Sequence, residues 1–305
     1  MAPLVAHPLV VLGIPVYNES NFIRQTLQSI QDQTHSDFAV LISDNASSDG
    51  TSEICKEFAD SDPRFIYLRQ NTNLGSAANF RFVRIASDSP FFAWIGAHDL
   101  LSPTYLQEHI ESLSNHRDVG NSFTYFEYIS SENKTISRDR SQGIGTPRFV
   151  RQIRYIWSVA IGAENGPIHG LFRRSKMSSL PLRGVLAGDH IFLSSSVYNA
   201  RFLHLAGHLY RIRQFDEKMR AEDCMTRITG QSHVVPDMQR TIDAYLADFD
   251  LLYPIGTSGR IMRPFVCALL NDRLGKQKIR FTKLFRSIVK RTHSIRYILR
   301  KPITT

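Results

Sequence analysis

The sequence predicts an α/β protein with a mostly parallel sheet flanked by helices, followed by a helical C-terminal region. Short apolar runs alternate with helical patterns through the first hundred residues, and strands that alternate with helices form parallel sheets. From residue 216 onward the pattern is mainly helical. We therefore expect three regions, which are residues 1–110, 111–215 and 216–305.

Four buried strands with three helices between them are predicted in the first region. Each strand is a short run of apolar residues without strict alternation, as expected for a parallel sheet that is covered on both faces. Each helix has apolar residues three or four positions apart, as Ile23, Leu27 and Ile30 are. The strands are 9–15, 38–43, 64–70 and 91–97, and the helices are 21–33, 51–60 and 76–87.

The second region has a mixed pattern. Residues 121–130 alternate between apolar and polar as a half-buried strand does, and the polar residues after them indicate a loop. The other predicted elements are a helix at 148–163, a turn leading into a strand at 166–177, a helix at 188–199 and one or two strands at 201–214.

Composition favours a cytoplasmic protein. The three cysteines, Cys55, Cys224 and Cys267, have no C-x-x-C spacing and are few for 305 residues, so a disulfide framework is not expected. The first residues lack the basic stretch of a secretory signal. No apolar run approaches the roughly 20 residues that cross a bilayer. We therefore expect a cytoplasmic chain that is not integral to a membrane.

The basic charge lies in the C-terminal tail. The formal net charge is +9, and residues 273–305 hold eleven of the 37 Lys and Arg residues and none of the 28 Asp and Glu residues. In residues 276–302 the basic residues surround an apolar helical face, which is typical of a helix lying on an anionic membrane surface. A terminal helix packed on the domain is the alternative. Nucleic acid is not expected as a partner, since no aromatic platform or known binding motif accompanies the charge.

Polar side chains follow three of the predicted strands at their carboxyl ends, where parallel α/β sheets bind ligands. The first strand ends with Pro15, Tyr17 and Glu19. Tyr17 has a ring that could stack on a base, and Glu19 has a carboxylate that could accept a hydrogen bond from a sugar hydroxyl. The alternative is a strand end followed by a helix cap from Asn18 or Ser20.

The second and fourth strands end in acidic residues. Asp44 is placed to accept from a ribose hydroxyl or from the ring N–H of uracil, thymine or guanine, and a simple turn is the alternative. His98 and Asp99 follow the fourth strand in the segment WIGAHDLLSP. No G-x-G-x-x-G follows the first strand, which argues against a dinucleotide-binding enzyme.

Four segments, taken together in order and spacing, resemble family 2 glycosyltransferases of the GT-A fold. They are IPVYNESNFIRQTLQSIQDQT, LISDNASSDGT, NTNLGSAANF and WIGAHDLLSPTYL. The resemblance covers residues 8–110 well and extends more weakly to residue 213. It implies an inverting transfer of a sugar from a nucleotide diphosphate donor, with a UDP-sugar favoured, to a hydroxyl of a glycan or lipid-linked acceptor. The implied context is the assembly of a bacterial surface polysaccharide or glycolipid.

The resemblance also implies roles by position. Residues 1–110 would bind the nucleotide-sugar, with Tyr17 and Asp44 on the base and with Pro15 and Glu19 beside the nucleoside. Residues 111–215 would bind the acceptor, and Asp189 would be the base that removes the proton of its hydroxyl.

Each of the implied catalytic roles has an alternative. Asp189 could be a helix N-cap, and His190 is a second candidate for the base. Arg211 and Arg213 alternate along a predicted strand and so share a face, from which both would neutralise the diphosphate. A solvated basic face is the alternative for these two arginines.

The segment GAHD corresponds to the aspartate-x-aspartate region, which in many family members reads like Asp-Ala-Asp-Asp. Asp99 keeps the last acid, whereas Gly96 and His98 occupy the other acidic positions. We expect Mn²⁺ or Mg²⁺ held by Asp99 with help from His98, because Mn²⁺ accepts imidazole more readily than Mg²⁺ does. The alternatives are a lost metal site with His98 as a turn residue, and a non-catalytic nucleotide-sugar-binding protein.

Overall fold

The computed structural model describes residues 8–138, 166–180, 182–185, 188–215, 221–231 and 238–252. The predicted helix at 148–163 and the basic tail at 276–302 lie outside these residues. Within the described residues, no helix combines the length and the apolar character that crossing a bilayer requires.

The described strands form one sheet. In chain order they are β1 Val10–Val16, β2 Phe38–Asp44, β3 Phe65–Arg69, β4 Phe91–Trp94, β5 Leu100–Leu101, β6 Val119–Ile129, β7 Thr135–Arg138, β8 Leu171–Arg173 and β9 Arg201–Arg213. The strand order is β3-β2-β1-β4-β8-β6-β9-β5, and β7 pairs with β6. The first four strands are parallel, as predicted. β8 is antiparallel to both of its neighbours, β4 and β6, whereas β6 and β9 are parallel.

Seven α-helices are described. They are α1 Ile23–Gln31, α2 Thr51–Ser61, α3 Ser76–Ile85, α4 Tyr105–Asn115, α5 Gly188–Asn199, α6 Ala221–Thr229 and α7 Met238–Leu252. Sequence reasoning did not predict α4. Two of its buried residues, His109 and Ser112, are polar, so its inward face lacks the continuous apolar spacing that indicates a helix.

The sheet has a hydrophobic core on each face. Val10, Leu12 and Ile14 of β1 belong to one core, which α1, α2 and α4 complete. Val11, between them, belongs to the second core with α3 and α5. The indole of Trp94 lies in this second core, in edge-on contact with three phenylalanine rings. Burial on both faces explains why β1 is an uninterrupted apolar run.

The two predicted halves share this sheet. β4 of the first half pairs with β8 of the second, and the two-residue strand β5 pairs with β9. The carboxyl ends of β1, β2 and β4 meet at one edge, because these strands are parallel neighbours. The described parts of the third region are α6 and α7.

Candidate active site

The loops after β1 and β2 are joined by hydrogen bonds. The N–H of Asn18 donates to Oγ of Ser47 over 2.9 Å, and Oδ1 of Asn18 accepts from the N–H of Ser48 over 2.8 Å. The N–H of Glu19 donates to Oγ1 of Thr51 over 2.8 Å. Asn18 has a positive φ of 53°, which asparagine tolerates better than most residues. No side chain caps the start of α1, so these polar residues shape the loop and not the helix.

A cavity of about 460 Å³ lies at the carboxyl ends of β1, β2 and β4, and we call it the strand-end cavity. Four residues that were predicted to contact the nucleotide-sugar or a metal line it, and these are Pro15, Tyr17, Glu19 and His98. The structure adds residues from the β2 loop, from α3 and from α6. They include Asn45 after β2, Ser76 of α3, and Asp223 and Arg227 of α6, and the cavity is also lined by Asn73 and Gly96.

A second cavity of about 350 Å³ adjoins the first, and we call it the Trp94 cavity. Ser76, Phe80 and Gly96 line both cavities. Trp94 gives the second cavity an apolar wall, and Asp189 at the start of α5 gives it a carboxylate. Oδ1 of this carboxylate accepts from the following backbone N–H over 2.9 Å. The candidate base therefore lies one cavity away from Tyr17 and His98. Its neighbour His190, the second candidate for the base, is not among the described lining residues of either cavity.

Asp44 does not reach the strand-end cavity, which corrects the role predicted for it. Its side chain is fully buried and is hydrogen-bonded to Ser47 in the loop between β2 and α2. Burial raises the pKa of Asp44, but hydrogen bonds from donors led by Ser47 and Ser52 outweigh burial and hold the pKa below its usual value. Its carboxylate accepts from Ser47 N–H, Ser52 Oγ, Tyr67 OH and Arg69 Nη1, at distances of 2.9, 2.6, 2.7 and 2.8 Å.

The next residue, Asn45, lines the cavity instead. Its Oδ1 accepts from the N–H of Leu74 over 2.9 Å, and its Nδ2 donates to Oδ1 of Asn73 over 2.7 Å. An amide nitrogen carries two hydrogens, so a second N–H remains for a ligand. Asp44 is the last residue of β2, and Asn45 follows it directly. Neighbouring side chains of an extended chain point to opposite sides, so Asn45 lines the cavity while Asp44 points into the protein.

Asp99 is also an internal carboxylate, contrary to the metal role predicted for it. Its side chain is buried, and it is not among the described lining residues of either cavity. Oδ2 accepts from the hydroxyl of Tyr210 over 2.9 Å, and Oδ1 accepts from the N–H of Arg213 over 3.0 Å. The last acid of GAHD therefore joins the segment after β4 to β9.

Gly96 fits against this carboxylate. A Cβ atom at position 96 would overlap Oδ2 of Asp99, so no acidic side chain has room there while Asp99 keeps its place. Among the described residues, no group of three or more His, Cys, Asp or Glu side chains is placed to hold a metal ion. Because Asp99 is buried in hydrogen bonds and Gly96 has no room for a side chain, the GAHD segment does not fit the carboxylate-held Mn²⁺ or Mg²⁺ site that the resemblance implied.

His98 lies in a charged cluster at the wall of the strand-end cavity. Its Nδ1 is 3.0 Å from Oε1 of Glu19, and Nη2 of Arg227 is 3.5 Å from the same oxygen. Burial lowers the pKa of His98, but the hydrogen bond to Glu19 and the charge of Asp99 outweigh burial and raise the pKa above its usual value. This environment favours the charged imidazolium, whereas a metal binds the neutral ring.

Arg211 and Arg213 do not face either cavity, which corrects their predicted contact with the diphosphate. Arg211 Nε donates to Oε2 of Glu127 over 2.7 Å. Arg213 is almost fully buried, and its Nε donates to the carbonyl of His98 over 2.9 Å. The other Arg213 nitrogens donate to the carbonyls of Ser130 and Ser131 and to the side chains of Gln25 and Asn133. Arg213 therefore fixes the backbone at His98.

Comparison with known proteins identifies the family. The family model "Glycosyl transferase family 2" matches residues 12–175, which is more than half of the chain. The chain belongs to glycosyl transferase family 2. The matched part of this family 2 chain contains the GAHD segment and most residues that line the strand-end cavity, whereas Asp189 and Arg227 follow it in the chain.

Relatives of this family 2 chain include two Bacillus subtilis proteins. The putative glycosyltransferase EpsH is 30% identical over 190 residues, which are 60% of this chain and 53% of EpsH. The putative teichuronic acid biosynthesis glycosyltransferase TuaG is 26% identical over 133 residues, which are 43% of this chain and 52% of TuaG. The chain thus spans about half the length of these relatives.

A solved structure confirms the fold. S. aureus TarS 1–349 in complex with UDP-GlcNAc has a TM-score of 0.63 and 14% sequence identity, covering 87% of this chain and 72% of that chain. The GT-A architecture implied by the sequence resemblance, a curled sheet with helices on both faces, is therefore confirmed.

Proposed function

We propose that the chain is an inverting glycosyltransferase that moves a sugar from a nucleotide diphosphate donor to a hydroxyl acceptor. The observation that carries the proposal is the adjacency of the two cavities, which share Ser76, Phe80 and Gly96. A nucleotide in the strand-end cavity would place its sugar toward the Trp94 cavity, where Asp189 lies. Two substrates would then meet at the shared wall.

The nucleoside would bind between Tyr17 and Asn45. Tyr17 is half-exposed and offers its ring for stacking on a base, while the second amide N–H of Asn45 donates to a carbonyl oxygen or ring nitrogen of the base. Asn45 thus takes the role in base recognition that the sequence predicted for Asp44. A UDP-sugar is favoured, and the UDP-GlcNAc bound by TarS supports that choice.

Asp189 would act as the general base in a single displacement. As the acceptor oxygen forms its bond to the anomeric carbon, its proton passes to the Asp189 carboxylate. The bond between the anomeric carbon and the diphosphate oxygen breaks, and its electron pair leaves with the diphosphate. Attack from the face opposite the leaving group inverts the configuration. No step is assigned to Mn²⁺ or Mg²⁺, because Asp99 and Gly96 do not fit a carboxylate-held metal.

The acceptor would be a glycan or a lipid-linked glycan of a bacterial surface polysaccharide. The name of TuaG, a putative teichuronic acid biosynthesis enzyme, supports this context. A lipid-linked acceptor would be reached from the cytoplasmic side of the membrane, with the basic segment 276–302 on anionic lipid.

The test is donor turnover by the full chain with a panel of UDP-, dTDP- and GDP-sugars. Asp189→Asn should lower turnover about 10²- to 10⁴-fold, as expected for loss of a general base, with nucleotide affinity unchanged within about twofold. Asp60→Asn, at an exposed acid of α2, is the matched control and should retain full turnover.

Two outcomes would count against the proposal. Turnover that survives Asp189→Asn intact would remove this residue from the chemistry. Tight nucleotide binding without turnover of any donor in the panel would favour a non-catalytic nucleotide-sugar-binding protein.

A further inference from the structure

We propose that Arg227 of α6 neutralises the donor diphosphate in the strand-end cavity, in place of a metal ion held by a carboxylate. The inference rests on the proposed function, since it requires a nucleoside diphosphate in this cavity. Arg227 would then be a residue of the third region, residues 216–305, that contacts the leaving group.

The chemistry requires a positive charge at this place. When the bond to the anomeric carbon breaks, its electron pair adds negative charge to the diphosphate, and a fixed cation stabilises that charge. The carboxylates that would hold a metal are not available. Asp99 is buried, bonded to Tyr210 and to the backbone of Arg213, and is not among the described residues that line the cavity, and Gly96 has no room for a side chain.

Arg227 is suitably placed to supply the charge. Among the described residues that line the strand-end cavity, it is the one arginine or lysine. Its side chain is 51% exposed, and its ion pair with Glu19 is a long contact, with Nη2 at 3.5 Å from Oε1. A guanidinium presents a planar fork of donors that binds two phosphate oxygens at once. A half-exposed fork with one long contact can turn to a ligand without breaking a buried network.

Glu19 is the group that holds Arg227 at the cavity. Its Oε1 lies 3.0 Å from Nδ1 of His98 and 3.5 Å from Nη2 of Arg227, so one carboxylate orients both side chains. Asp223 of α6 is the other acid that lines the described cavity wall. A diphosphate carries more negative charge than Glu19 does, so the guanidinium exchanges one anionic partner for a stronger one.

The backbone fixes α6 in this position. A Cβ atom at Gly75, directly before α3, would overlap the backbone of Thr229 and Gly230 at the end of α6. Two glycines with positive φ, Gly75 and Gly230, therefore let the two helices approach closely. This contact brings the end of α6 to α3, beside the strand-end cavity that Arg227 lines.

The test measures nucleotide binding by calorimetry, with UDP and uridine as probes, in EDTA and in Mn²⁺. UDP should bind in EDTA within about twofold of its affinity in Mn²⁺. Arg227→Gln should weaken UDP about tenfold or more, as for loss of a charge-assisted hydrogen bond, and should leave uridine within about twofold. The UDP affinity of Arg227→Lys should lie between that of the wild type and that of Arg227→Gln. Arg24→Gln is the matched control, since Arg24 is also 51% exposed and ion-paired, to Glu57, and it should bind UDP as the wild type does.

The outcomes separate this inference from the proposed function. UDP binding that requires Mn²⁺, or that Arg227→Gln leaves unchanged, would overturn the role of Arg227 while the glycosyltransferase proposal stands. Absence of binding by UDP, GDP, dTDP and CDP alike would overturn both. Equal losses of UDP and uridine in Arg227→Gln would reduce Arg227 to a structural residue of α6.

Discussion

The hydroxyl of Tyr210 joins Asp99 to Gly96. It donates to Oδ2 of Asp99 over 2.9 Å and accepts from the N–H of Gly96 over 3.0 Å. Burial, reinforced by the charge of Asp99, raises the pKa of Tyr210 well above its usual value, so the hydroxyl remains a donor. This contact turns the acid that ends the GAHD segment into part of the scaffold.

Tyr210→Phe should therefore destabilise the protein. Removal of the hydroxyl leaves a buried carboxylate oxygen and a part-buried N–H without this partner, which costs about 1.5–3 kcal/mol. Urea denaturation checks the value. Tyr17→Phe removes a hydroxyl from a half-exposed ring and should change the free energy of unfolding by less than about 0.5 kcal/mol. Equal stability of the two variants would contradict a structural role for Asp99.

Arg213→Lys should destabilise the protein more than Arg211→Lys does. A lysine at position 213 cannot reproduce the five donated hydrogen bonds, so a loss of about 2 kcal/mol or more is expected. Arg211 is part of a more exposed pair with Glu127, and its loss should be under about 1 kcal/mol. Denaturation curves of the two variants provide the comparison. UDP affinity that falls in Arg211→Lys would restore the contact with the diphosphate that sequence reasoning predicted.

Asn45 and Asp44 should respond to substitution in different measurements. Asn45→Ala should weaken UDP and uridine equally, by roughly tenfold, because it removes the amide that faces the base. Asp44→Asn should lower stability and leave nucleotide affinity nearly unchanged, since the buried Asp44 carboxylate bonds to protein groups and does not line the strand-end cavity. Calorimetry and denaturation of both variants check this. A loss of nucleotide affinity confined to Asp44→Asn would return base recognition to the acid.

Stability should fall in acid because of His109. Burial lowers the pKa of His109 to about 3, whereas the unfolded chain titrates near 6.5. The unfolded state therefore binds the proton first, so the contribution is complete above about pH 6.5 and decreases by up to about 1.4 kcal/mol per pH unit as the pH falls toward 3. His109→Leu should flatten this slope in urea denaturation between pH 7 and 5. Burial also lowers the pKa of His169, so a smaller slope should remain in that variant.

The elements that sequence reasoning predicted well are those with a strong local pattern. β1, β2 and α5 lie at or within one residue of their predicted positions, because an uninterrupted apolar run or an acid in the first turn of a helix is a local signal. α4 was missed since its inward face includes His109, whose partner Ser122 belongs to a strand. A polar pair buried between two elements has no signature in either segment alone.

A similar reason separates the predicted site residues that line the strand-end cavity from those that do not. Spacing placed Tyr17, Glu19 and His98 at one edge of the sheet, and all three line the strand-end cavity. Spacing could not show that Asp44 and Asp99 point inward, because that depends on donors from distant segments, such as Tyr67 and Tyr210. Arg227 was missed because it follows the strands by a long stretch of chain, and a helix returns it to their ends.

The pairing of β5 with β9 has a consequence for dividing the chain. A fragment that ended near residue 115 would leave β4 without β8 and β5 without β9. Both would then be open strand edges, with unpaired backbone groups beside apolar side chains, which template association with other chains. Truncation or fusion at the border between the two halves should therefore yield insoluble protein, and co-expressed halves should recover solubility only when they assemble through these two strand pairs.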